Sequence, residues 1–387
     1  MVPGMRTNCF FAAPTTEDLM MTESSVQFKS FVGVDLHKCT VTLRAVDARR
    51  RPIDGLTCST KCVNRIHDWL LTLPRPSWMA VEACGFIEWF IDRYRGCVDR
   101  IDIADATELA HLRGKRRKND ANDTLDVAVR LVDGTCPLGW IADDDTRRLR
   151  KLGRHWHQLS CTQARVKTCM RWILLAANLS GPQFDGASAQ KWLLAHGHLL
   201  DDVPRRAFAN FIDIVNVVER QRESLHREIA AVNRSQRFER IMTLLKSVTG
   251  INDIWACIIA AEIGDFSRFP NADALEFWAG LTADNKTSGG KTRSGRITKA
   301  GSRTLRWAVC NAARCLAKHD GHQKKTRQRI LQRCGNVKPK ANVAMGRRLL
   351  GTIFAMVRDN QPYRNREPIH HLKNANAARK RKRSQSA

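Results

Sequence analysis

Between residues 28 and 140, short apolar runs rich in β-branched residues alternate with segments of helical spacing, which confines this region to an α/β domain. Phe31-Val32-Gly33-Val34-Asp35 is an apolar run ending in an acid, and Thr40 to Val46 alternates apolar and polar residues. Pro52 and Gly55 place a turn over Arg49 to Gly55, so the first runs form the opening hairpin of a mixed sheet. Ile66 to Leu73 has helical spacing. Trp78 to Val81 is another strand, which delivers Glu82 at its C-terminal end, Val98 to Ile103 is a further strand, and Thr124 to Leu131 begins a helix.

Beyond residue 140 the pattern changes. An acidic helix start at Asp143-Asp144-Asp145-Thr146 precedes a stripe through Leu149, Leu152, Trp156, Leu159 and Val166. A second stripe runs through Ile214, Val218, Leu225, Ile229 and Val232, so two long helices are expected over 145–235, as a hairpin or coiled-coil arm. The organisation predicted is a loose leader (1–27), the α/β domain (28–140), the helical arm (141–238), a mainly helical C-terminal domain (239–366) and a basic tail (367–387) carrying Arg379 to Arg383.

Charge then narrows the partner. Lys and Arg number 65 against 38 Asp and Glu, a net charge of +27, and the pI is about 10.2. Such a chain collects polyanions, and nucleic acid is the expected one. The longest apolar stretches, Trp172 to Leu179 and Trp255 to Ala261, fall far short of the ~20 residues that cross a bilayer, so no membrane role is expected. The first residues carry Glu17, Asp18 and Glu23 and no basic flank before an apolar core, so the expectation is a cytoplasmic protein associated with the nucleoid. Thirteen cysteines, Cys84, Cys161, Cys257 and Cys310 among them, lie scattered in apolar patterns that suit reduced thiols.

Carboxylates stand where an α/β sheet presents its ligand-binding edge: Asp35 in GVDLHK, Glu82 in VEACG, and Asp120 with Asp123 in KNDANDT. Asp120 and Asp123 share a helix face if the helix begins there. Four carboxylates brought together repel unless cations sit among them. Two Mg²⁺ ions about 3.5–4 Å apart, or Mn²⁺ in their place, would satisfy them and could clamp the attacking and leaving oxygens of a phosphodiester. Taken singly, Asp35 can end a strand, Asp120 can cap a helix and Asp123 can be a solvated charge. Asp102, Asp105 and Asp126 compete for the same role on spacing alone.

A second constellation lies near the other end. Residues 244–265 place Gly250 between two helical patterns, with Gly264 closing the second, like a helix-hairpin-helix or a plain helical hairpin. Thr287 to Gly301 reads as a polar loop with four glycines, four cations and no acid. Glycines let backbone approach a sugar-phosphate chain and cations hold it there. The GxxxxGK[ST] spacing of a Walker A loop is absent. Expected phosphate contacts are Arg113, Lys115, Arg116, Arg117 and Lys118 ahead of Asp120, and Lys291, Arg293, Arg296, Lys299, Arg303 and Arg306 in and after the loop. Cys310, Cys315, His319 and His322 cluster in sequence, but no CxxC pair accompanies them, which disfavours a structural zinc site.

The order D…E…D-x-x-D in those local forms resembles the DEDD transposases of insertion-sequence family 110. The resemblance implies a RuvC-like, ribonuclease-H-like fold for the N-terminal domain, with Asp35, Glu82, Asp120 and Asp123 as a metal-binding tetrad. The C-terminal SGG element, the GRITKAG stretch and Thr304-Leu305-Arg306 resemble the same family's transposase domain. It implies a serine nucleophile that attaches to DNA, carried here by Ser288, with Ser294 the alternative. It implies as well donor and target DNA as partners, a structured non-coding guide RNA, and a homo-oligomer, dimer or tetramer. The acidic and basic halves are then expected to act on the same DNA strands. Two other readings stay open at this point: a RuvC-like metal-dependent junction nuclease that uses water, and a non-catalytic nucleic-acid-binding protein with a degenerate acidic site.

Overall fold

The computed structural model describes residues 27–113, 120–233, 236–288 and 291–364. Lys115, Arg116, Arg117 and Lys118, the leader before residue 27 and the basic tail lie outside the described residues. The chain divides into two compact units, 1–141 and 142–387.

The first unit is built on a six-stranded mixed sheet. Its strands are β1 (Ser30–Leu36), β2 (Thr40–Val46), β3 (Pro52–Ser59), β4 (Ser77–Glu82), β5 (Arg100–Ala104) and β6 (Leu138–Gly139), in the order β3-β2-β1-β4-β5-β6. Strands β1, β4 and β5 run parallel, while β2, β3 and β6 are antiparallel to their neighbours. The pleat sends alternate residues to opposite faces, so the two faces acquire separate cores. Val32, Val34, Met79 and Val81 pack with Ile66 and Leu70 of α1 (Val63–Thr72) and Phe90 of α2 (Ile87–Tyr94). Phe31, Ala80 and Ala104 pack with Leu109 of α3 (Ala106–Arg113) and Val127, Ala128 and Leu131 of α4 (Asp120–Val132).

One expected turn is in fact a strand. Pro52 opens β3, and Gly55 lies inside it opposite Arg44. The chain reverses earlier, where Arg50 takes φ 63° and the Asp47 carboxylate accepts the Arg49 and Arg51 amides at 2.8 and 2.9 Å. Proline is tolerated at the first residue of a strand, and a Cβ on Gly55 would lie 2.3 Å from the Arg44 guanidinium, so both residues suit β3. Tertiary pairing thus overrides the local turn signal.

The second unit is mainly helical. Its two long helices, α5 (Asp144–Ala176) and α7 (Asp202–Asn233), flank α6 (Gly186–His196). Asp143 caps α5 by accepting the Thr146 amide at 2.9 Å. The pairs Arg148–Glu228 and Gln163–Glu219 require α5 and α7 to run antiparallel. Val166, Met170, Ala189, Phe208 and Ile212 form a core where α6 meets them, a third helix within the segment expected to hold two. Leu149 and Ile229, at the other end of the pair, join the large core of the remaining helices. Those are α8 (Gln236–Ser247), α9 (Asp253–Ile263), α10 (Ala272–Trp278), α11 (Arg303–His319), α12 (Gly321–Arg333) and α13 (Lys338–Asp359). Among the described residues no helix is long and apolar enough to cross a membrane, and every cysteine is free.

Candidate catalytic and nucleic-acid sites

The register of β1 and β4 ends at Val34 opposite Val81, so Asp35 and Glu82 leave the ladder side by side at the C-terminal ends of parallel neighbours. Both share the parity of Gly33 and Ala80, which places them on the sheet face that α4 covers. Gly33 explains how close that helix comes. A Cβ there would stand 1.9 Å from the Thr124 carbonyl oxygen and 2.9 Å from the Ala128 nitrogen, so only glycine admits α4 at this distance. Asp123, one residue before Thr124, is thereby carried to the edge occupied by Asp35 and Glu82, and Asp120 begins the same helix.

Arg113, at the end of α3, sits among these acids. Its Nη1 donates to Glu82 Oε2 at 3.1 Å, its Nη2 to the Asp123 carbonyl at 3.0 Å, and its Nε to Asp126 Oδ2 at 3.3 Å. Burial works against its charge, but the Glu82 hydrogen bond and charge, with the charge of Asp123, push its pKa above the usual guanidinium range. Its side chain is only 15% exposed, so this cation faces the carboxylates rather than solvent. The Cys84 thiol is pushed up first by burial and then by Asp35 and Glu82, which puts both acids within electrostatic reach of one sulfur. His37 Nε2 lies 3.2 Å from Asp35 Oδ2.

The donors gathered here are hard carboxylate oxygens, the set that suits Mg²⁺, and they already attract a cation in the form of the Arg113 guanidinium. Their chemistry fits a divalent metal. Among the described residues, however, no three His, Cys, Asp or Glu side chains close into a cluster able to hold one. Two of the competing acids have other duties, and the third shares Arg113 with Glu82. Asp102 accepts Trp78 Nε1 and Arg100 Nε, both at 2.7 Å. Asp105 caps α3 through the Thr107 and Glu108 amides at 2.8 and 3.1 Å. Asp126 is paired with Arg113 and with Arg130, the latter at 2.8 Å.

In the second unit, the expected polar loop is a two-stranded hairpin of β7 (Ala283–Ser288) and β8 (Lys291–Ile297). Ser288 ends β7 opposite Lys291, Arg293 lies opposite Lys286, and Ser294 lies opposite Asn285. Glycine content suggested a loop, but Thr287, Thr292 and Ile297 are β-formers and the ladder supplies the backbone hydrogen bonds that a loop would leave to water.

The hairpin stands on a tight base. Gly280 and Gly301 adopt φ of 68° and 66°, and a Cβ on either would lie 2.2 Å from the Ala300 or 2.3 Å from the Trp278 carbonyl oxygen. Arg306 on α11 bolts this base by donating Nη1 to the carbonyls of Ala279 and Gly301, each at 3.1 Å, and to that of Ala300. Burial, followed by repulsion from Arg303, lowers the Arg306 pKa. Its head group is therefore a structural brace, whereas Arg296, Lys299 and Arg303 are exposed. Arg306→Ala is expected to cost about 2 kcal/mol, since it strips a charged donor from three carbonyls, of which that of Ala279 belongs to a buried residue. Denaturant unfolding of the full chain checks this, and a loss under about 0.5 kcal/mol would deny Arg306 that role.

Preceding the hairpin, α8 and α9 are joined through Gly250, at φ 100°, where a Cβ would lie 2.9 Å from Cys315. Asn252 caps α9 by accepting the Trp255 amide at 3.0 Å.

Residues 242–328, which span this helix pair, the hairpin and α11, match the family model described as Transposase IS116/IS110/IS902 family. Among curated relatives, a Pseudomonas aeruginosa protein named "Probable family 20 transposase" is 24% identical over 78% of this chain and 88% of its own length. A Streptomyces coelicolor protein, "Insertion element IS110 uncharacterized 43.6 kDa protein", is 27% identical over 40% of this chain and 37% of its own length.

Proposed function

We propose that this chain, a transposase of the IS110/IS116/IS902 family, cleaves, exchanges and rejoins DNA strands with Ser288 as nucleophile and Asp35, Glu82, Asp120 and Asp123 as metal ligands. The observation that carries the reading is that the family match, 242–328, includes the whole β7–β8 hairpin and so takes in Ser288. The strand order, with three parallel strands beside the antiparallel β2 and β3, supports a ribonuclease-H-like reading of the first unit. Asp35 and Glu82 at neighbouring strand ends support the metal-site reading.

In this chemistry the Ser288 hydroxyl loses its proton as its oxygen bonds to phosphorus, and the displaced sugar oxygen leaves with a proton. The strand end then stays attached to the protein until another sugar hydroxyl attacks and releases the serine. Mg²⁺, or Mn²⁺ in its place, would supply Lewis-acid stabilisation of the charge that develops on the phosphate oxygens. Glu82, now hydrogen-bonded to Arg113, would be one of the carboxylates that hold the ion. Arg296, Lys299 and Arg303 hold sugar-phosphate backbone by charge. Donor and target DNA are the substrates, a structured non-coding RNA is the guide, and the α5–α7 pair offers a surface for self-association in a cytoplasmic, nucleoid-bound homo-oligomer.

Purifying the protein from cells carrying its own genetic element, and sequencing the nucleic acid that accompanies it, tests partner and chemistry together. A discrete RNA from that element, and strand cleavage that needs Mg²⁺ and stops with chelator, are the expected results. Binding without any metal-dependent cleavage on the recovered DNA would sink the enzymatic reading.

A further inference from the structure

A cavity of about 630 Å³ opens in the second unit beside the base of the hairpin, within the range of sites that enclose a small ligand. Its main wall is one stripe of α11. Arg303, Trp307, Cys310, Asn311 and Arg314 follow at helical spacing, and Asn342 of α13 faces them across the cavity. No acid lines it. The sequence signal was available in the periodicity from Arg303 to Arg314, but the wall opposite comes from a helix nearly 30 residues later and could not be read locally.

The lining has three chemical parts. Arg303 and Arg314 supply cations about three helical turns apart, roughly 16 Å along the axis, and among the described residues neither is paired with an acid. Between them Trp307, with the His157 ring stacked on it at 4.4 Å, gives an aromatic wall, and the half-buried Cys310 thiol, pushed up to about 11 by burial, stays neutral. Asn311 Nδ2 donates to the Trp307 carbonyl at 2.8 Å and Asn342 Oδ1 accepts from Arg327 at 3.3 Å, which holds one end of each amide while both residues line the cavity.

Cations at both ends, an aromatic wall and two oriented amides suit one chemical object, an unpaired nucleotide with its flanking phosphates. We infer that this cavity receives an unpaired base of a nucleic-acid strand laid along α11, with Arg303 and Arg314 on the phosphates and Asn311 and Asn342 on the base edge. A base offered to Trp307 by its face and to the amides by its edge must leave its stack, so the strand must be single or locally opened. The inference rests on the transposase reading and adds a site that captures an unpaired base.

The test uses the full-length protein with fluorescein-labelled (dT)6 and (rU)6, read by anisotropy, and with the same oligomers carrying one 5-iodouracil for photocrosslinking mapped by peptide mass. Arg314→Gln and Asn342→Ala lie outside the hairpin and should fold. Each is expected to weaken the better-bound oligomer about tenfold, and the crosslink should fall on Trp307 or its α11 neighbours. The tighter of the two oligomers identifies whether DNA or RNA supplies the base. Affinities within twofold of wild type in both variants, crosslinks confined to other segments, or equal displacement by the same concentration of inorganic phosphate would each overturn the inference. Adduct formation at Ser288 is scored separately, so an empty cavity beside an intact adduct would defeat this inference alone.

Discussion

A Ser288→Ala protein is expected to form no covalent protein-DNA adduct, while wild type incubated with its DNA, its RNA and Mg²⁺ gives a band of retarded protein on a denaturing gel. The substitution removes one oxygen at the end of β7 and leaves the β7–β8 ladder, which is main-chain, able to form. Fold and nucleic-acid affinity should therefore persist, and strand exchange should fall on the order of 10⁵-fold, the scale at which an enzyme loses its nucleophile. Ser294→Ala is the paired control, because Ser294 lies three ladder positions away opposite Asn285. It should still form the adduct. An adduct that survives Ser288→Ala and vanishes with Ser294→Ala would move the nucleophile along β8. Active protein that never forms an adduct would assign the chemistry to water and make this a junction nuclease.

The second large effect is expected at the acidic edge. Asp35→Asn keeps the size of the side chain at the end of β1, so the sheet should be undisturbed, but it removes an anionic oxygen beside Glu82. Cleavage should drop about a thousandfold, roughly 4 kcal/mol of lost transition-state stabilisation. Duplex affinity should change less than about threefold, since binding rests on many phosphate contacts elsewhere. The metal itself offers an independent readout: isothermal titration of Mn²⁺ into the variant should show weakened binding relative to wild type. Near-normal cleavage and unchanged Mn²⁺ binding would remove Asp35 from the site.

The sequence alone determined that strands lie over 31–35, 40–46 and 78–81, within the observed 30–36, 40–46 and 77–82, and that acids stand at the ends of two of them, because period-two patterning and β-branched composition are local properties. It likewise determined the long helices of the second unit, whose apolar stripes repeat over many turns, and the basic, acid-free character of residues 287–301. Only the tertiary structure decided which acids meet. Asp35 and Glu82 are 47 positions apart in sequence and become neighbours through the parallel pairing of β1 with β4, and the approach of Asp123 depends on the missing Cβ of Gly33. Composition could not separate Asp102 and Asp105 from them, since the difference lies in partners, an indole and a helix N-terminus, while Asp126 shares Arg113 with Glu82. Gly55 and Gly295 suggest a turn and a loop by composition but lie inside β3 and β8, because glycine permits a turn but does not impose one, and cross-strand hydrogen bonding settles the matter at long range. Arg113 and Arg306 were expected on charge to contact phosphate, and the structure places their guanidinium groups against carboxylates and carbonyls of the protein. Charge is legible in a sequence, but whether a guanidinium turns outward or is held by carboxylates and carbonyls depends on packing between segments that are distant along the chain.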